Sequence, residues 1–147
     1  MRSVVFILAL AAAAMFTIEA NAQSKKMAAE LMVNYLLKAK EPQETGTVKD
    51  PGNFREMYIA ETYAIAEANA DALDKQFCYC YCALNPKVEH KSLKSCFVDD
   101  HGAHCGICMK QARTTAAMTK EGKSPKEIAE HFKEKYLHAE HDHDHKH

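Results

Sequence analysis

The fold is decided by residues 53–82, which read NFREMYIAETYAIAEANADALDKQFCYCYC. Apolar side chains recur here every three or four positions, which is the period of one face of an α-helix. Asn53, followed three residues later by Glu56, has the pattern of a capping box that begins such a helix. The helix is predicted to end at Phe77 and to lead directly into three cysteines. Its apolar face comprises Ile59, Tyr63, Ala66, Ala70, Leu73 and Phe77.

A helix on the N-terminal side is predicted to begin at Ser24, to continue for about four turns and to end before Pro42. The stretch from residue 41 to residue 53 is polar and contains two prolines and two glycines, so it is predicted to be a connection. The helices on either side of this connection are expected to pack antiparallel.

Two more helices are predicted after the cysteines. The first begins near His104 or Cys105 and continues to about Met118. The second begins at residues 124–127, Ser-Pro-Lys-Glu, which place an N-cap, a first-turn proline and an N3 glutamate in register. Residues 78–102 are predicted to be loop with at most a short extended piece. The predicted fold class is therefore a small all-α domain of about four helices that frame a Cys/His-rich loop.

The first 22 residues have the features of a signal peptide. Arg2 supplies a positive start, residues 4–18 are a nearly unbroken apolar run, and residues 20–22 (Ala-Asn-Ala) offer a small-x-small cleavage pattern. Cleavage would leave 125 of the 147 residues, the size of one ordinary domain. We therefore expect an exported protein, either periplasmic or secreted.

The net charge of −1 at pH 7 gives no support to a nucleic-acid partner. After Ile18 no apolar stretch approaches the ~20 residues of a membrane helix, so no membrane contact is expected once the signal peptide is removed. The predicted organisation is a cleaved signal peptide over 1–22, a helical Cys-rich metal-binding domain over 23–137 and a disordered His-rich tail over 138–147.

All six cysteines lie between Cys78 and Cys108. A stapled secreted domain spreads its cysteines along the chain, because each bridge stabilises by closing a loop, so the clustering indicates a site. In an extended Cys78-Tyr79-Cys80-Tyr81-Cys82, the three sulfurs lie on one face and the aromatic rings on the other. Ligation of a soft metal is the preferred interpretation, with disulfides to the later cysteines and idle thiols as the alternatives.

The second motif is Cys105-Gly106-Ile107-Cys108, at the start of a predicted helix. Both sulfurs could bind one metal ion or each other, and a helix N-terminus favours the thiolate in either case. A redox pair of the thioredoxin type needs a βαβ surrounding, and the neighbouring sequence is helical. A share in a metal site is preferred, with thiol–disulfide exchange or a structural disulfide as alternatives.

Three histidines, His90, His101 and His104, lie in the same window as the cysteines. Thiolate and imidazole together suit Zn(II), which prefers a tetrahedron, and Cu(I) where sulfur predominates. Close-spaced sulfurs favour Cu(I), because it accepts two or three soft ligands and shares bridging thiolates; a surface or capping role is the alternative for each histidine. The predicted metal ligands are Cys78, Cys80, Cys82, His90, Cys96, His101, His104, Cys105 and Cys108.

Five of the nine histidines lie in residues 138–147. Alternating His and Asp suits weak, exchangeable binding of Cu(II), Zn(II) or Ni(II). This tail is predicted to be a capture arm for metal, and an expression tag is the alternative.

From Tyr63 to Tyr136 the chain resembles the exported bacterial proteins named for a P-C-Y-C-G-C motif, a family of largely unknown function. The resemblance implies that the cysteines and histidines act as a unit. Two positions depart from the motif, because Phe77 stands where it has proline and Tyr81 where it has glycine. The matching features are Cys78-Tyr79-Cys80-Tyr81-Cys82, His90, Ser92-Leu93, Cys96-Phe97-Val98, His101, Cys105-Gly106-Ile107-Cys108 and Gly122-x-Ser124-x-x-Glu127-Ile128.

The sequence therefore predicts an exported binding protein for a thiophilic metal ion, with copper as Cu(I) preferred and zinc as the second choice. Its role would be sequestration, delivery or tolerance, and its partner a metal-donor or metal-acceptor protein. Two alternatives stay open: a thiol–disulfide oxidoreductase that uses Cys105 and Cys108, and a disulfide-stapled structural domain.

Overall fold

The computed structural model describes residues 2–85, 87–88 and 90–138, without the side chains of residues 2–18 and 138. The described part of the chain is all-α and contains no strand. The predicted tail lies almost entirely in residues 139–147, outside the described residues. Most of the predicted signal peptide lies in residues 1–18, whose side chains are not described. The helices are α1 (Arg2–Lys38), α2 (Met57–Ala68), α3 (Ala70–Asp74), α4 (Gly106–Lys120) and α5 (Pro125–Lys133).

α1 packs against α5, and α2 packs against α4. The predicted antiparallel pairing of the first two helices is therefore not the main packing of the domain, because the long connection between them lets each helix take a later partner. α1 ends before Pro42 as predicted, but it passes through Ser24 without a cap. Within the described residues, no helix is both long and apolar enough to cross a membrane.

The helix predicted from residue 53 begins later and is interrupted. The Asn53 side chain donates back to the Asp50 carbonyl (3.1 Å), within a 3₁₀ turn over Pro51–Asn53, so the capping box predicted with Glu56 is wrong. The helical path breaks at Asn69, which has φ −125° and whose side chain donates to the Ile65 carbonyl (2.8 Å). Such a bond competes with helix continuation, and it separates α2 from α3.

The helices after the cysteines follow the sequence closely. α4 begins directly after Cys105, and Gly122 adopts φ +80° behind its end, a conformation that glycine accepts at low cost. α5 has the predicted capping box: Ser124 accepts from the Glu127 amide, and the Glu127 carboxylate accepts from the Ser124 amide (2.8 Å). Both boundaries are fixed by residues within one helical turn.

Two buried clusters divide the interior. One lies between α2, α3 and α4 and contains four of the cysteines. The other lies between α1 and α5 and contains Phe77 and Tyr79, with Tyr81 packed against it. Residues 77–82 lie between the two clusters, with their cysteines in the first and their aromatic rings in the second. The predicted separation of sulfurs from aromatic rings is therefore present.

The Asp74 carboxylate connects the loops that surround the cysteines. It is buried and accepts from the backbone amides of Gln43 (2.6 Å) and Glu44 (3.0 Å) and from the Ser92 hydroxyl (2.7 Å). A carboxylate with three donors in a buried position strongly fixes its partners. The end of α3, the connection after α1 and the loop before Cys96 are therefore held together.

Candidate metal centre

The C-x-C-x-C segment is a turn, not the extended piece that its alternation suggested. The Tyr81 amide donates to the Cys78 carbonyl (3.1 Å), Tyr81 has φ 61°, and a 3₁₀ turn follows over Cys82–Leu84. The backbone bends here, and all three cysteines belong to one cluster. Cys80 is 3.2 Å from Cys78 and shares a second group with Cys82.

Four cysteine sulfurs form the first ligand group: those of Cys78, Cys80, Cys96 and Cys108 lie within 4.8 Å of one another. The Cys78 sulfur is 3.2 Å from that of Cys80 and 3.3 Å from that of Cys108. Three different segments supply these residues, namely the turn, the 3₁₀ turn at Lys94–Phe97 and the first turn of α4. The tertiary fold therefore assembles the group.

A second ligand group shares two of these residues. Cys80, Cys82, Cys96 and His101 also lie within 4.8 Å of one another. The sulfurs of Cys82 and Cys96 are 3.5 Å apart, and His90 Nδ1 is 3.1 Å from the Cys82 sulfur. Five thiols and two imidazoles are thus in contact around the two groups.

Cys105 and His104 belong to neither group. Cys105 is half-buried and packs against the cluster of the other five cysteines. His104 is exposed and lines a different surface cavity, beside Phe54 and Asp100. Of the nine predicted ligands, the structure brings eight into one cluster and places His104 outside it.

All six cysteines are free thiols. Because they are crowded together, the pKa values of some are lowered and those of others are raised. Hydrogen bonds from Cys105 and Cys78 lower the pKa of Cys108 to about 5, and bonds from Cys105 and Cys108 place the pKa of Cys80 far below its usual range. The pKa values of the thiols that donate these bonds change in the opposite direction. Hydrogen bonds to Cys108 raise the pKa values of Cys78, Cys96 and Cys105. The crowding therefore favours the thiolate, the form that binds a metal ion, at Cys80 and Cys108 over the three thiols whose pKa values are raised.

Gln111, one turn into α4, holds the Cys78 backbone in place. Its side-chain carbonyl accepts from the Tyr79 amide (2.9 Å), and its side-chain amide donates to the Phe77 carbonyl (3.1 Å). The Gln111 side chain is fully buried and lies three residues after Cys108. Helix α4 therefore positions the sulfur of Cys108 directly and that of Cys78 through Gln111. No motif in the sequence marks this residue, because its partners are backbone groups more than thirty positions away.

Tyr63 positions the segment that carries His101. Its buried hydroxyl donates to the Asp99 carbonyl (2.8 Å) and accepts from the Ala103 amide (3.1 Å). Burial raises the pKa of Tyr63 to about 12, so the hydroxyl keeps its proton near neutral pH. From the sequence, Tyr63 is predicted only as a member of the apolar helix face, and the hydrogen bonds of its hydroxyl are not predicted.

Gly102 allows the His101 segment to approach Cys96, and its replacement by alanine is expected to lower the free energy of unfolding by about 2 kcal/mol. A Cβ at this position would lie 2.8 Å from the Cys96 carbonyl oxygen and 2.9 Å from the Phe97 ring. Urea unfolding of the metal-free reduced protein measures the change. Gly106→Ala is the matched control, because a Cβ there meets nothing within 4 Å; equal stability of the two variants would contradict the close contact.

The imidazole end of the cluster is open to solvent. His90 and His101 line a surface cavity of about 520 Å³, and their rings meet edge to face with centroids 4.7 Å apart. Asp99 lines the same cavity, with Oδ2 4.0 Å from His90 Nε2. The opposite end, at Cys78 and Cys108, is buried. The arrangement could hold a metal ion that enters past the histidines.

Comparison with protein families gives a match over residues 4–142 to proteins of unknown function with a PCYCGC motif. The chain belongs to this family. The match extends well beyond residues 63–136, which carry the resemblance in sequence. No curated protein and no solved structure matches the chain. The PCYCGC cysteines are Cys78, Cys80 and Cys82 here, all three of which face the candidate metal centre.

The glycine of the PCYCGC motif corresponds to Tyr81, whose φ of 61° is left-handed. A side chain costs roughly 1–2 kcal/mol in that conformation, which gives the motif glycine a physical reason. We expect Tyr81→Gly to be about 1 kcal/mol more stable than Tyr81→Ala, as measured by urea unfolding. Both variants lose the ring contacts with Phe77 and Tyr79, so their difference reports the backbone alone, and an alanine variant at least as stable as the glycine variant would contradict it.

Proposed function

We propose that this PCYCGC protein is an exported binding protein for a thiophilic metal ion, with Cu(I) as its ion, and that it acts in copper sequestration, delivery or tolerance. The observation that carries the proposal is the convergence of all six thiols and two imidazoles on one largely buried cluster. If the buried thiols served only as core side chains, they would not need imidazole neighbours or a surface cavity next to them. Soft sulfur ligands with imidazole select Cu(I) and Zn(II) among the common ions.

The balance of ligands supports Cu(I) over Zn(II). Both ligand groups are sulfur-rich, with four sulfurs in one and three sulfurs with His101 in the other. Cu(I) accepts low coordination numbers and soft donors, so the cluster satisfies it in several arrangements. Each group also contains the four ligands that tetrahedral Zn(II) requires, so Zn(II) is the second choice.

Export rests on the signal-peptide pattern of residues 1–22, and a metal-loaded cluster is compatible with it. An oxidising compartment converts free thiols to disulfides, and a bound metal ion would protect six close cysteines from that reaction. The opening at His90 and His101 gives a metal-donor or metal-acceptor protein access to one end of the cluster. We place the protein in the periplasm or outside the cell, after removal of residues 1–22.

Anaerobic titration of the reduced protein with Cu(I), in competition with a colorimetric Cu(I) chelator, tests the proposal. We expect at least one equivalent to bind, and Cys108→Ser to lower the affinity at least about tenfold, because it removes a ligand that the first turn of α4 positions. His104→Ala is the matched control, since His104 is exposed and outside both groups. Binding of less than one equivalent by the unaltered protein would refute the proposal.

The oxidoreductase alternative is supported by the placement of Cys105 and Cys108 at the N-terminus of α4, where the pKa of the Cys108 thiol is lowered to about 5. In that reaction the two thiols would become a disulfide, and a substrate disulfide would take up the two electrons and two protons. Reduction of insulin or glutathione disulfide by the protein, lost in Cys105→Ser, would favour this alternative. Unchanged exchange in that variant would remove it.

A further inference from the structure

The two ligand groups overlap in Cys80 and Cys96. Building on the proposed metal binding, we propose that the centre holds two metal ions and that the thiolates of Cys80 and Cys96 bridge them. One ion would be bound by Cys78 and Cys108 in addition to the bridging pair. The other would be bound by Cys82 and His101 in addition to the same pair.

The number of ligands fits this arrangement. Two tetrahedra that share an edge have six corners, and the two groups together contain six different residues. A single tetrahedral ion would use four of them and leave two ligands in contact with it but unbound. The shared edge accounts for every member of both groups.

The distances between sulfurs also fit. A tetrahedral ion with bonds of about 2.3 Å to sulfur separates its sulfurs by roughly 3.8 Å. Cys80 lies 3.2 Å from Cys78 and 3.6 Å from Cys108, and Cys96 lies 3.5 Å from Cys82. Each bridging sulfur is therefore already close to ligands of its group, and expansion by a few tenths of an ångström would admit the ions.

Charge permits a second ion. Buried thiolates are costly unless cations neutralise them. Relative to the first ion with its four cysteines, the second ion adds one thiolate, from Cys82, and one neutral imidazole, from His101. A second Cu(I) therefore leaves the net charge of the centre unchanged, and a divalent ion makes it less negative.

Two neighbours complete the surroundings without entering either group. His90 Nδ1 lies 3.1 Å from the Cys82 sulfur and 3.5 Å from the Cys96 sulfur, where a protonated Nδ1 would donate to a thiolate. His90 is thus assigned as a positioning residue of the second ion site. Cys105 packs against the same cluster but belongs to neither ligand group, which makes it the matched control for the bridging cysteines.

Cd(II), a soft ion with tetrahedral preference, provides the test. The reduced protein is loaded anaerobically with ¹¹³Cd(II), the stoichiometry is counted by native mass spectrometry, and ¹¹³Cd NMR spectra are recorded. We expect two ions per chain and two resonances with mutual scalar coupling, because that coupling passes only through a shared sulfur. One ion per chain at saturation, or two uncoupled resonances, would overturn the proposal.

Variants identify the bridging sulfurs. Cys80→Ser and Cys96→Ser are each expected to reduce the stoichiometry from two ions to one, whereas Cys105→Ser retains two, with far-UV circular dichroism to verify that all three fold. Two ions in every variant would overturn the assignment of the bridges, and the coupling in the unaltered protein decides the matter if a variant does not fold. Failure to bind either Cu(I) or Cd(II) would refute the proposed function itself, whereas one ion per chain would refute only the two-ion centre.

Discussion

Anaerobic addition of Cu(I) in slight excess to the reduced protein is expected to raise the midpoint of thermal unfolding by about 15 °C. The folded protein presents a preassembled cluster in which Cys78, Cys80 and Cys108 are already within 3.6 Å of one another, whereas the unfolded chain must order its ligands before binding. A free ligand concentration of 1,000 times Kd stabilises the folded state by about 4 kcal/mol. In a domain of this size, each kcal/mol shifts the midpoint by roughly 4 °C.

Differential scanning calorimetry or circular dichroism measures this shift. Mg(II) serves as the control ion, because it prefers oxygen ligands and should leave the midpoint unchanged. A chelator that removes Cu(I) should restore the original midpoint. A Cu(I) shift below about 2 °C, or an equal shift with Mg(II), would contradict preferential binding of soft metal by the folded cluster.

Replacing Gln111 by leucine is expected to lower the free energy of unfolding by about 3 kcal/mol, measured by urea unfolding of the metal-free protein. The variant leaves the Tyr79 amide and the Phe77 carbonyl without the partners that they have at 2.9 Å and 3.1 Å. An unsatisfied buried polar group costs about 1–3 kcal/mol, and this substitution creates two. The peptide between them carries Cys78, so the variant should also weaken Cu(I) binding.

Thr115→Val, one turn further along α4, is the matched control. The Thr115 hydroxyl is buried and has no hydrogen-bond partner among the described residues, so its removal should leave the stability unchanged or raise it by about 1 kcal/mol. A Gln111 variant as stable as the Thr115 variant would show that the amide does not hold the cysteine turn.

The sequence predicts those parts of the fold that depend on neighbours in the chain. The capping box of Ser124 and Glu127 lies within one turn and is present. The same pattern at Asn53 and Glu56 does not cap a helix, because Asp50 organises a 3₁₀ turn first and accepts from the Gly52 amide (2.7 Å). Local signals compete, and a sequence motif alone does not indicate which of two neighbouring caps is used.

The residues of the candidate centre could be predicted because their chemistry is unusual and clustered. Their partition into two overlapping groups could not, since it depends on the turn at Tyr81 and on the approach of the Cys96 and His101 segments. The supports Gln111 and Asp74 were missed for the same reason: each bonds to backbone or hydroxyl groups distant in sequence. Only the folded chain brings these partners together.

Native mass spectrometry of the untagged protein, purified without chelator and combined with thiol counting before and after denaturation, tests the central claim most directly. We expect a mass that includes one or more thiophilic metal ions, with six thiols that become reactive only after denaturation. A metal-free mass lighter by two hydrogens for each disulfide bridge would contradict it.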